Sequence, residues 1–557
     1  MSVAGTLGLV STPVLVAVAW PYASGSRHLG HLAGAYLPAD VFARHQRLVG
    51  NEVLMVSGSD VHGTPITVRA DDEGVTPQDI VDRYHTEFVR QWDEMGLQWD
   101  LYTTTGTDHH ARVTQEMFLK QLENGHIDKR TSEQFYDPEA QRFLPDRYIE
   151  GTCPNCGYGE ARGDQCDNCG RTLDATELIE PRSKLSGATP ELRPTEHFYY
   201  RFSDFTDQVH DFLADKNGWR PHVLNFVRSW VREDGLLDRA ITRDLDWGVE
   251  LPVDDLGPGK RIYVWYDAVI GYLSASQEWA QRHGDDDRWR HWWHNPDSRH
   301  VYFIGKDNIP FHCLFWPAQL MGYDPDIHLP DDVPANQYIT FKGGKASASR
   351  GVGLTIQEGL DLFQPDGLRY ALAASFPEQA DTDISVEEIA RRINEELVAT
   401  WGNLVNRVLS MVNKNFGEQP DVSGRTPEDD AVLQAVDELL AHANGQLERV
   451  ELKAALRTAM DAAQAVNAYL NATEPWKIAK EDLVRAGVVL GTALDAINGV
   501  RVGFAPFLPF SSVALDEMLG PISGWTRSPV PGGTPIPKPT PLFAKVDIDA
   551  LFADLED

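Results

Sequence analysis

The chain of 557 residues lacks any run of 18 consecutive apolar residues. A membrane-spanning helix needs a run of about that length, so we expect no transmembrane segment and no membrane partner. The first apolar run, residues 14–20, also lacks a basic leader, since the first Lys or Arg is Arg27. This run therefore indicates a buried strand rather than a secretory signal, and we expect a cytoplasmic protein.

Positive charge is scarce. The chain has 50 Lys and Arg against 83 Asp and Glu, which gives a formal net charge of −33 at pH 7. This balance argues against non-specific binding to nucleic acid, so we expect no DNA partner, although it does not exclude a local basic surface. Such acidity suits either a high-salt protein or simply a very soluble one.

Cysteine is also scarce. Four of the five cysteines form two Cys-x-x-Cys pairs, Cys153 with Cys156 and Cys166 with Cys169, and the fifth is Cys313. Without a secretory context, clustered cysteines indicate a metal before disulfides. Four thiolates suit one tetrahedral Zn²⁺, with iron or an empty site as the alternatives. Four protein ligands leave no open position for a substrate, so we expect a structural zinc.

Strand and helix patterns alternate at the start of the chain, and the length favours about three or four domains. The predicted strands are 14–18, 52–56 and 101–105, and the predicted helices are 32–46 and 77–94. This order is typical of a βαβαβ half of a doubly wound, Rossmann-like parallel sheet. We assign residues 12–106 to this half.

The remaining chain divides into four further regions. Residues 107–260 hold the cysteine pairs and form an insertion, and residues 261–341 return to an α/β pattern. That pattern has predicted strands at 262–265, 301–304 and 338–341 and a helix at 310–321. Residues 342–384 link to a helical bundle and tail, 385–557. The predicted bundle helices are 386–416, 427–446, 452–470, 473–481 and 483–505, with a short acidic helix at 547–557.

Polar residues follow the first two predicted strands. His28-Leu29-Gly30-His31 opens the first helix, where unpaired N–H groups and two imidazoles suit a phosphate, although a solvated surface turn fits as well. Asp60 follows the second strand, at the ligand-binding edge of such a sheet. Its carboxylate suits an ammonium group or a ribose hydroxyl, and the alternative is a helix cap.

A loop rich in glycine and serine follows the last predicted strand of the second half. It reads Lys342-Gly343-Gly344-Lys345-Ala346-Ser347-Ala348-Ser349-Arg350-Gly351. A cationic loop of this kind can close over phosphates and stabilise charge on a leaving group. A plain flexible linker is the alternative.

Taken together, these features resemble the class I aminoacyl-tRNA synthetases and, within them, the methionyl branch. The resemblance covers almost the whole chain. Its motifs are His28-Leu29-Gly30-His31, Asp60-Val61-His62-Gly63-Thr64-Pro65-Ile66, the paired cysteines, Phe303-Ile304-Gly305-Lys306-Asp307, Phe311-His312, Leu314-Phe315-Trp316-Pro317-Ala318 and Glu474-Pro475-Trp476. It implies a ligase that joins methionine to ATP, releases pyrophosphate and passes the methionyl group to the 3′ ribose of initiator and elongator tRNA(Met).

The resemblance also implies roles for individual residues. The catalytic set is His28, His31, Asp60, Arg243 and Lys345. The ATP set is His28, Gly30, His31, Lys306, Asp307, Lys345, Ser347, Ala348 and Ser349, with Mg²⁺ sharing the phosphate charge. The methionine set is Trp20, Tyr22, Asp60, Trp265, Ala268, Tyr272 and His312, whose aromatic rings suit a thioether. The set that contacts the anticodon is Asn403, Arg407 and Trp476.

Three positions depart from the family pattern. Trp20 stands where leucine is common, Val269 where proline is frequent, and Ala348 where the usual Lys-Met-Ser-Lys-Ser loop has its second lysine. They leave two alternatives open: a paralogue that activates another amino acid or uses another acceptor, and a non-catalytic zinc-containing RNA-binding protein. Because the chain stops soon after the bundle, we expect a monomer.

Overall fold

The computed structural model describes residues 11–163, 166, 168–169, 173–233, 235–341, 344–345 and 353–548. The first part alternates strands with helices, as predicted. Its elements are β1 Pro13–Val18, α1 Leu29–His31, α2 Leu37–Leu48, β2 Glu52–Ser59, α3 Thr64–Glu73, α4 Pro77–Glu94, β3 Leu101–Thr104 and α5 Asp108–Glu123. A π-helical turn, Leu32–Tyr36, joins α1 to α2. Thr76 caps α4 through a reciprocal bond with Asp79, so this helix begins where the sequence predicts.

The insertion is built from small antiparallel sheets and two helices. Its elements are β4 Ile127–Asp137, β5 Arg142–Phe143, β6 Ile149–Thr152, β7 Ala161–Arg162, β8 Ile179–Ser183, β9 Glu191–Tyr200, α6 Thr206–Ala214, α7 Pro221–Glu233, β10 Arg239–Ala240, β11 Thr242–Asp244 and β12 Lys260–Ile262. The sheet orders are β10-β9-β4-β5, β7-β6-β8 and β11-β12. The four cysteines lie around the β7-β6-β8 sheet.

The next part completes the central sheet and then leaves it. Its elements are α8 Val264–Arg282, α9 Arg290–Trp293, β13 Arg299–Gly305, α10 Trp316–Tyr323, β14 Ala335–Asn336, β15 Ile339–Phe341, β16 Gly344–Lys345, α11 Ile356–Leu362, α12 Pro365–Ala373 and β17 Thr382–Ile384. The π-helical segment Phe311–Phe315 precedes α10.

One strand prediction in this part was wrong. Residues 262–265 do not form one strand, because β12 ends at Ile262 and α8 begins at Val264. Most side chains of α8 are buried, so its sequence lacks the polar face that marks a helix, and a short apolar run does not distinguish helix from strand. The strand predicted at 338–341 is present as β15, and it lies in a separate sheet of order β16-β15-β17.

The central sheet has five parallel strands in the order β14-β13-β1-β2-β3. Val14, Val16 and Val18 of β1 point into a core that continues into the helical bundle. Leu15 and Ala17 point into a second core, shared with α8 and the insertion. Because both faces are buried, β1 is apolar throughout, and the polar ends of the parallel strands meet at one edge of the sheet.

The C-terminal part is helical. Its helices are α13 Val386–Arg391, α14 Asn403–Asn415, α15 Pro427–Glu448, α16 Leu452–Thr473, α17 Pro475–Ile478, α18 Leu483–Phe504 and α19 Pro509–Leu519. The π-helical segment Arg392–Gly402 joins α13 to α14. The sequence analysis missed α19, and the acidic helix predicted at 547–557 lies outside the described residues except for its first two positions.

Helix α18 is long and apolar enough to cross a membrane, but 83% of its apolar window is buried inside the protein. It is therefore the core helix of the bundle.

A buried ion pair joins α12 to α2 and to the chain that follows α18. Arg369 of α12 donates to Asp40 of α2 at 2.7 Å and to the carbonyl of Phe507 at 2.7 Å. Although burial opposes ionisation, the charges of Arg44 and Arg369 lower the pKa of Asp40.

Candidate active site, metal centre and nucleic-acid interface

His28 caps the start of α1, and His31 is the last residue of this short helix, which follows β1 in the chain. Each ring accepts a backbone hydrogen bond through Nδ1: from the His31 N–H to His28 and from the His28 N–H to His31, both at 3.3 Å. A neutral imidazole that accepts through Nδ1 carries its proton on Nε2, so Nε2 is the donor on both rings. A Cβ on Gly30 would lie 2.8 Å from Nδ1 of His28, which is a steric reason for glycine in this motif.

The chain that follows the predicted cationic loop pairs with this turn. Leu29 N–H donates to the carbonyl of Leu354 at 2.9 Å, and Ile356 N–H donates to the carbonyl of Arg27 at 2.8 Å. At the other end of the loop, the backbone of Lys345 pairs with Thr340. Ser347, Ala348 and Ser349 lie outside the described residues, as does the side chain of Lys345.

Asp60 lies beside Tyr22 at the same edge of the sheet. Asp60 N–H donates to the carbonyl of Pro21 at 2.9 Å, and Ala23 N–H donates to the carbonyl of Asp60 at 3.0 Å. The Asp60 side chain is 3% exposed, and its Oδ1 accepts from the His62 N–H at 3.1 Å. Burial and the neighbouring Asp267 carboxylate raise the pKa of Asp60 to about 8.

Aromatic side chains from the segment after β1 and from α8 lie near this carboxylate. Trp265 packs edge-on against Tyr22, with ring centroids 6.3 Å apart, and stacks on Phe311 at 3.9 Å. One turn further along α8, Ala268 is buried. We call Tyr22 and Trp265, together with Trp20 and Tyr272, the aromatic wall of the predicted methionine site.

Tyr272 and His312 close the wall with a directed hydrogen bond. His312 Nδ1 contacts the carbonyl of Asn308 at 3.0 Å, and its Nε2 contacts the Tyr272 hydroxyl at 2.7 Å. Burial lowers the pKa of His312 to about 4, so the ring is neutral at pH 7. Its Nδ1 then donates to the carbonyl and its Nε2 accepts from tyrosine.

Two glycines make room for the indole of Trp20. A Cβ at Gly58 would lie 2.2 Å from this ring and 2.4 Å from the carbonyl oxygen of Thr103, and a Cβ at Gly271 would lie 2.7 Å from the ring. The indole also packs edge-on against Tyr272 at 6.3 Å. The large side chain that departs from the family pattern is therefore matched by two residues without side chains.

Three described residues of the predicted sets remain, namely Lys306, Asp307 and Arg243. Lys306 forms an ion pair with Asp381 at 2.8 Å and lies over the Tyr338 ring, whose hydroxyl donates to Asp307. Arg243 lies 3.9 Å above the ring of Tyr263. Lys306 and Asp307 thus follow β13, one strand away from the His28 turn.

A buried carboxylate between two imidazoles was missed in the sequence analysis. Asp267 accepts from His62 Nδ1 at 2.6 Å and from His110 Nε2 at 2.5 Å, and the Thr114 hydroxyl donates to it at 3.2 Å. Although burial opposes ionisation, these imidazoles hold the pKa of Asp267 well below its usual range. His110 lies 157 positions from Asp267, and nothing in its own sequence neighbourhood marks it.

The four clustered cysteines bring their sulfur atoms together as predicted. All four Sγ atoms lie within 4.8 Å of one another, with 3.9 Å between Cys153 and Cys169 and 3.6 Å between Cys156 and Cys166. Tetrahedral Zn²⁺ with Zn–S bonds of about 2.3 Å requires sulfur separations of roughly 3.8 Å. The donor set therefore fits one zinc ion with a closed ligand shell.

The three residues predicted to contact the anticodon lie close together on the helical bundle. Asn403 and Arg407 lie one turn apart on α14, and the Arg407 guanidinium lies 5.7 Å above the ring of Trp476. Arg407 also donates to Oδ1 of Asn467 at 3.0 Å, a residue absent from the predicted set. Because 37% of Trp476 is exposed, its ring is available for an unstacked base.

The chain matches models of two known protein families. The family model described as tRNA synthetases class I (M) matches residues 14–409, and the model for the anticodon binding domain of methionyl tRNA ligase matches residues 419–552. The chain belongs to the methionyl branch of the class I tRNA synthetases.

Individual synthetases are similar to this chain over nearly its whole length. The methionine–tRNA ligase of Roseiflexus sp. (strain RS-1) is 49% identical over 97% of this chain and 98% of the relative. That of Chloroflexus aggregans is 46% identical over 97% and 98%. Among solved structures, Mycobacterium tuberculosis methionyl-tRNA synthetase in complex with methionyl-adenylate is 26% identical, with a TM-score of 0.79, over 96% of this chain and 99% of that one.

Within this synthetase, every residue of the predicted methionine set is described, and the set lies near the carboxyl ends of β1 and β2. The His28 turn lies next to it, after β1. Arg243 lines a narrow cleft with Tyr22 and Trp265 and donates to the carbonyls of Ala240 and Thr242. The residues predicted to contact the anticodon lie on the helical bundle.

Proposed function

We propose that this synthetase activates methionine with ATP to methionyl-adenylate and transfers the methionyl group to the 3′ end of initiator and elongator tRNA(Met). The observation that carries this proposal is the buried Asp60 carboxylate, joined by backbone hydrogen bonds to the strand end that holds Tyr22. A buried carboxylate beside an aromatic wall suits a zwitterion with an apolar side chain.

The amino-acid site follows from this pairing. The methionine ammonium binds Asp60, and its positive charge favours the ionised carboxylate, which burial otherwise disfavours. The thioether packs against Tyr22, Trp265 and Tyr272, whose rings suit a polarisable, unbranched chain. Trp20 and Ala268 shape the same pocket, and the neutral His312 orients Tyr272.

The nucleotide site lies at the His28 turn. The Nε2–H groups of His28 and His31 donate to the triphosphate, Gly30 allows close backbone approach, and Lys306 and Asp307 face the nucleotide. Lys345 and the loop residues Ser347, Ala348 and Ser349 hold the departing pyrophosphate. Mg²⁺ bound to ATP would share the phosphate charge.

The chemistry needs little covalent work from side chains. The methionine carboxylate attacks the α-phosphate in line, so the protein contributes mainly positioning and electrostatic stabilisation. Asp60, His28 and His31 hold the reactants in place. Arg243 contributes positive charge at the edge of the amino-acid site. The ribose hydroxyl of the tRNA then attacks the methionyl carbonyl and AMP leaves.

Three further parts of the proposal concern the rest of the molecule. The bundle site of Asn403, Arg407 and Trp476 binds the anticodon, and the four cysteines hold one structural Zn²⁺. We propose domain divisions at residues 12–106, 107–260, 261–341, 342–384 and 385–557. We also propose a cytoplasmic monomer, which cell fractionation and light scattering test.

The deciding experiment is pyrophosphate exchange with ATP, measured with each amino acid in turn. We expect exchange that depends on methionine, followed by charging of both tRNA(Met) species. Better exchange with another amino acid would refute the methionine assignment and favour a pocket reshaped by Trp20. Adenylate formation without charging of tRNA(Met) would instead indicate another acceptor.

A further inference from the structure

The buried cluster of Asp267, His62 and His110 has no part in the proposed reaction, and it lies directly beside Asp60. The His62 side chain is 10% exposed, and that of Asp267 is fully buried. Asp267 uses both of its carboxylate oxygens, since Oδ2 accepts from His62 and Oδ1 accepts from His110. Removing charged groups from water costs free energy, and buried ionic clusters seldom stabilise a fold more than apolar side chains would. Stability is therefore a weak reason for these residues to be buried here.

His62 contacts Asp60, the proposed partner of the methionine ammonium group. The His62 backbone N–H donates to Asp60 Oδ1 at 3.1 Å, which holds one oxygen of that carboxylate. The His62 ring bonds to a second carboxylate, because its Nδ1 contacts Oδ2 of Asp267 at 2.6 Å. Asp267 is ionised, so Nδ1 is the donor in this bond. The position of the Asp60 carboxylate thus depends on where the His62 ring is held.

Asp267 joins this segment to the helix that forms the other side of the methionine site. It lies in the first turn of α8, two residues after Trp265 and next to Ala268. His110 of α5 donates to Asp267 Oδ1 at 2.5 Å, and Thr114 of the same helix donates to it at 3.2 Å. The segment after β2, the start of α8 and the start of α5 therefore meet at one carboxylate.

The charge of His62 supports the same contact. Although burial opposes it, the carboxylate of Asp267 raises the pKa of His62 and so favours the imidazolium form. Burial and Asp267 raise the pKa of Asp60, whereas the charge of His62 lowers it. The His62 ring therefore favours the ionised Asp60 carboxylate that an ammonium group requires. The next residue, Gly63, packs against the aromatic wall, since a Cβ there would lie 2.2 Å from the Tyr22 ring.

We propose that His62 is a positioning residue for methionine: its ring, bound to Asp267, holds the Asp60 carboxylate in place for the ammonium group of the amino acid. This role rests on the proposed function, in which Asp60 binds that ammonium group. In this role His62 does not touch methionine, so its effect is confined to ligands that carry the ammonium group. His110 supports the arrangement through its own bond to Asp267.

Two neutral amides test the bond between His62 and Asp267. The amide nitrogen of asparagine lies at the Nδ1 position of histidine, so His62→Asn keeps a donor to Asp267. The amide nitrogen of glutamine lies one bond further from the backbone, so His62→Gln loses this donor and remains polar. The matched control is His210→Gln, because His210 pairs with Asp211 at 3.6 Å but is 66% exposed. All variants are made in the full-length enzyme, and thermal unfolding shows which of them keep the fold.

Two ligands measure whether the effect passes through Asp60. One is methionine, and the other is γ-(methylthio)butyrate, which is methionine without its ammonium group. Pyrophosphate exchange gives the KM for methionine, and inhibition of that exchange gives the Ki of the analogue. We expect His62→Gln to raise the KM for methionine at least about tenfold, while the Ki of the analogue and the KM for ATP change less than about twofold. His62→Asn should recover most of the loss, and His210→Gln should match the wild type.

His110 gives the same test with the two amides exchanged, because it bonds to Asp267 through Nε2. His110→Gln keeps a donor at that position, and His110→Asn loses it. The KM for methionine should therefore rise in the asparagine variant and stay closer to the wild-type value in the glutamine variant. This pair keeps the proposal testable if His62→Gln does not fold.

A double variant separates this role from general damage to the pocket. In an enzyme that already carries Asp60→Asn, His62→Gln should not raise the KM for methionine further, since the residue through which it acts has lost its charge. Equal weakening of both ligands, or equal losses in His62→Asn and His62→Gln, would overturn the inference. An unchanged KM in His62→Gln, or a full additional loss in the double variant, would also overturn it. A wild-type enzyme without methionine-dependent exchange would refute the proposed function instead.

Discussion

Replacement of Asp60 by asparagine should stabilise the enzyme while it destroys methionine activation. Asp60 is 3% exposed and lies near a second carboxylate, that of Asp267, and both effects raise its pKa from 3.8 to about 8. At a pH between these two pKa values, the Asp60 carboxyl is ionised in the unfolded chain but protonated in the folded chain. The carboxyl therefore costs stability as the pH rises through this window.

The magnitude follows from the width of the window. Holding the proton from pH 3.8 up to pH 7 corresponds to about 4 kcal/mol at 1.36 kcal/mol for each pH unit. Asparagine removes this cost and keeps an oxygen that can accept the His62 N–H, now 3.1 Å from Asp60 Oδ1. We therefore expect Asp60→Asn to be more stable than the wild type by up to about 4 kcal/mol at pH 7, with no difference near pH 4.

Urea unfolding of the methionine-free enzymes from pH 4 to pH 8 measures this difference. The control is Asp72→Asn, because Asp72 is an exposed residue of α3, and its variant should follow the wild type at every pH. In parallel, Asp60→Asn should raise the KM for methionine at least about 100-fold, since an ammonium loses its buried partner. The reasoning would be refuted if Asp60→Asn were less stable than the wild type at pH 7. It would also be refuted if the two free energies of unfolding differed by the same amount at every pH.

Three other variants test separate parts of the molecule. Cys166→Ser should release zinc and unfold the knuckle, since metal binding supplies folding energy there; unchanged zinc by atomic absorption would contradict the assignment. Trp476→Ala should reduce tRNA charging by roughly 1–3 kcal/mol of lost base stacking while exchange is retained, and equal loss of both activities would refute two separate sites. Tyr272→Phe leaves Nε2 of the buried His312 without its donor and should destabilise the enzyme by about 1–3 kcal/mol in urea unfolding. No change in stability would refute the directed hydrogen bond.

Local patterns predicted most elements and the clearest motifs. The β1 run is apolar at every position because both faces of a parallel sheet are buried, and α4 carries its own cap at Thr76. The cysteine spacing predicted the metal site because four thiolates on two short turns can meet without help from distant residues. The His28–His31 turn is equally local, since each imidazole bonds the backbone of the other histidine.

Only the tertiary structure decided features that depend on distant partners. The start of α8 at Val264, the separate sheet of β15 and the helix α19 follow from packing against other elements, which periodicity along the chain does not encode. The same holds for the wall itself. The Trp20 ring fits because Gly58 and Gly271, which contact it, have no side chains. Asp267 is charged because His62 and His110, which lie far from it in the sequence, both bond to its carboxylate. Sequence determines which groups are present, and folding sets their burial and partners, which in turn set their charge.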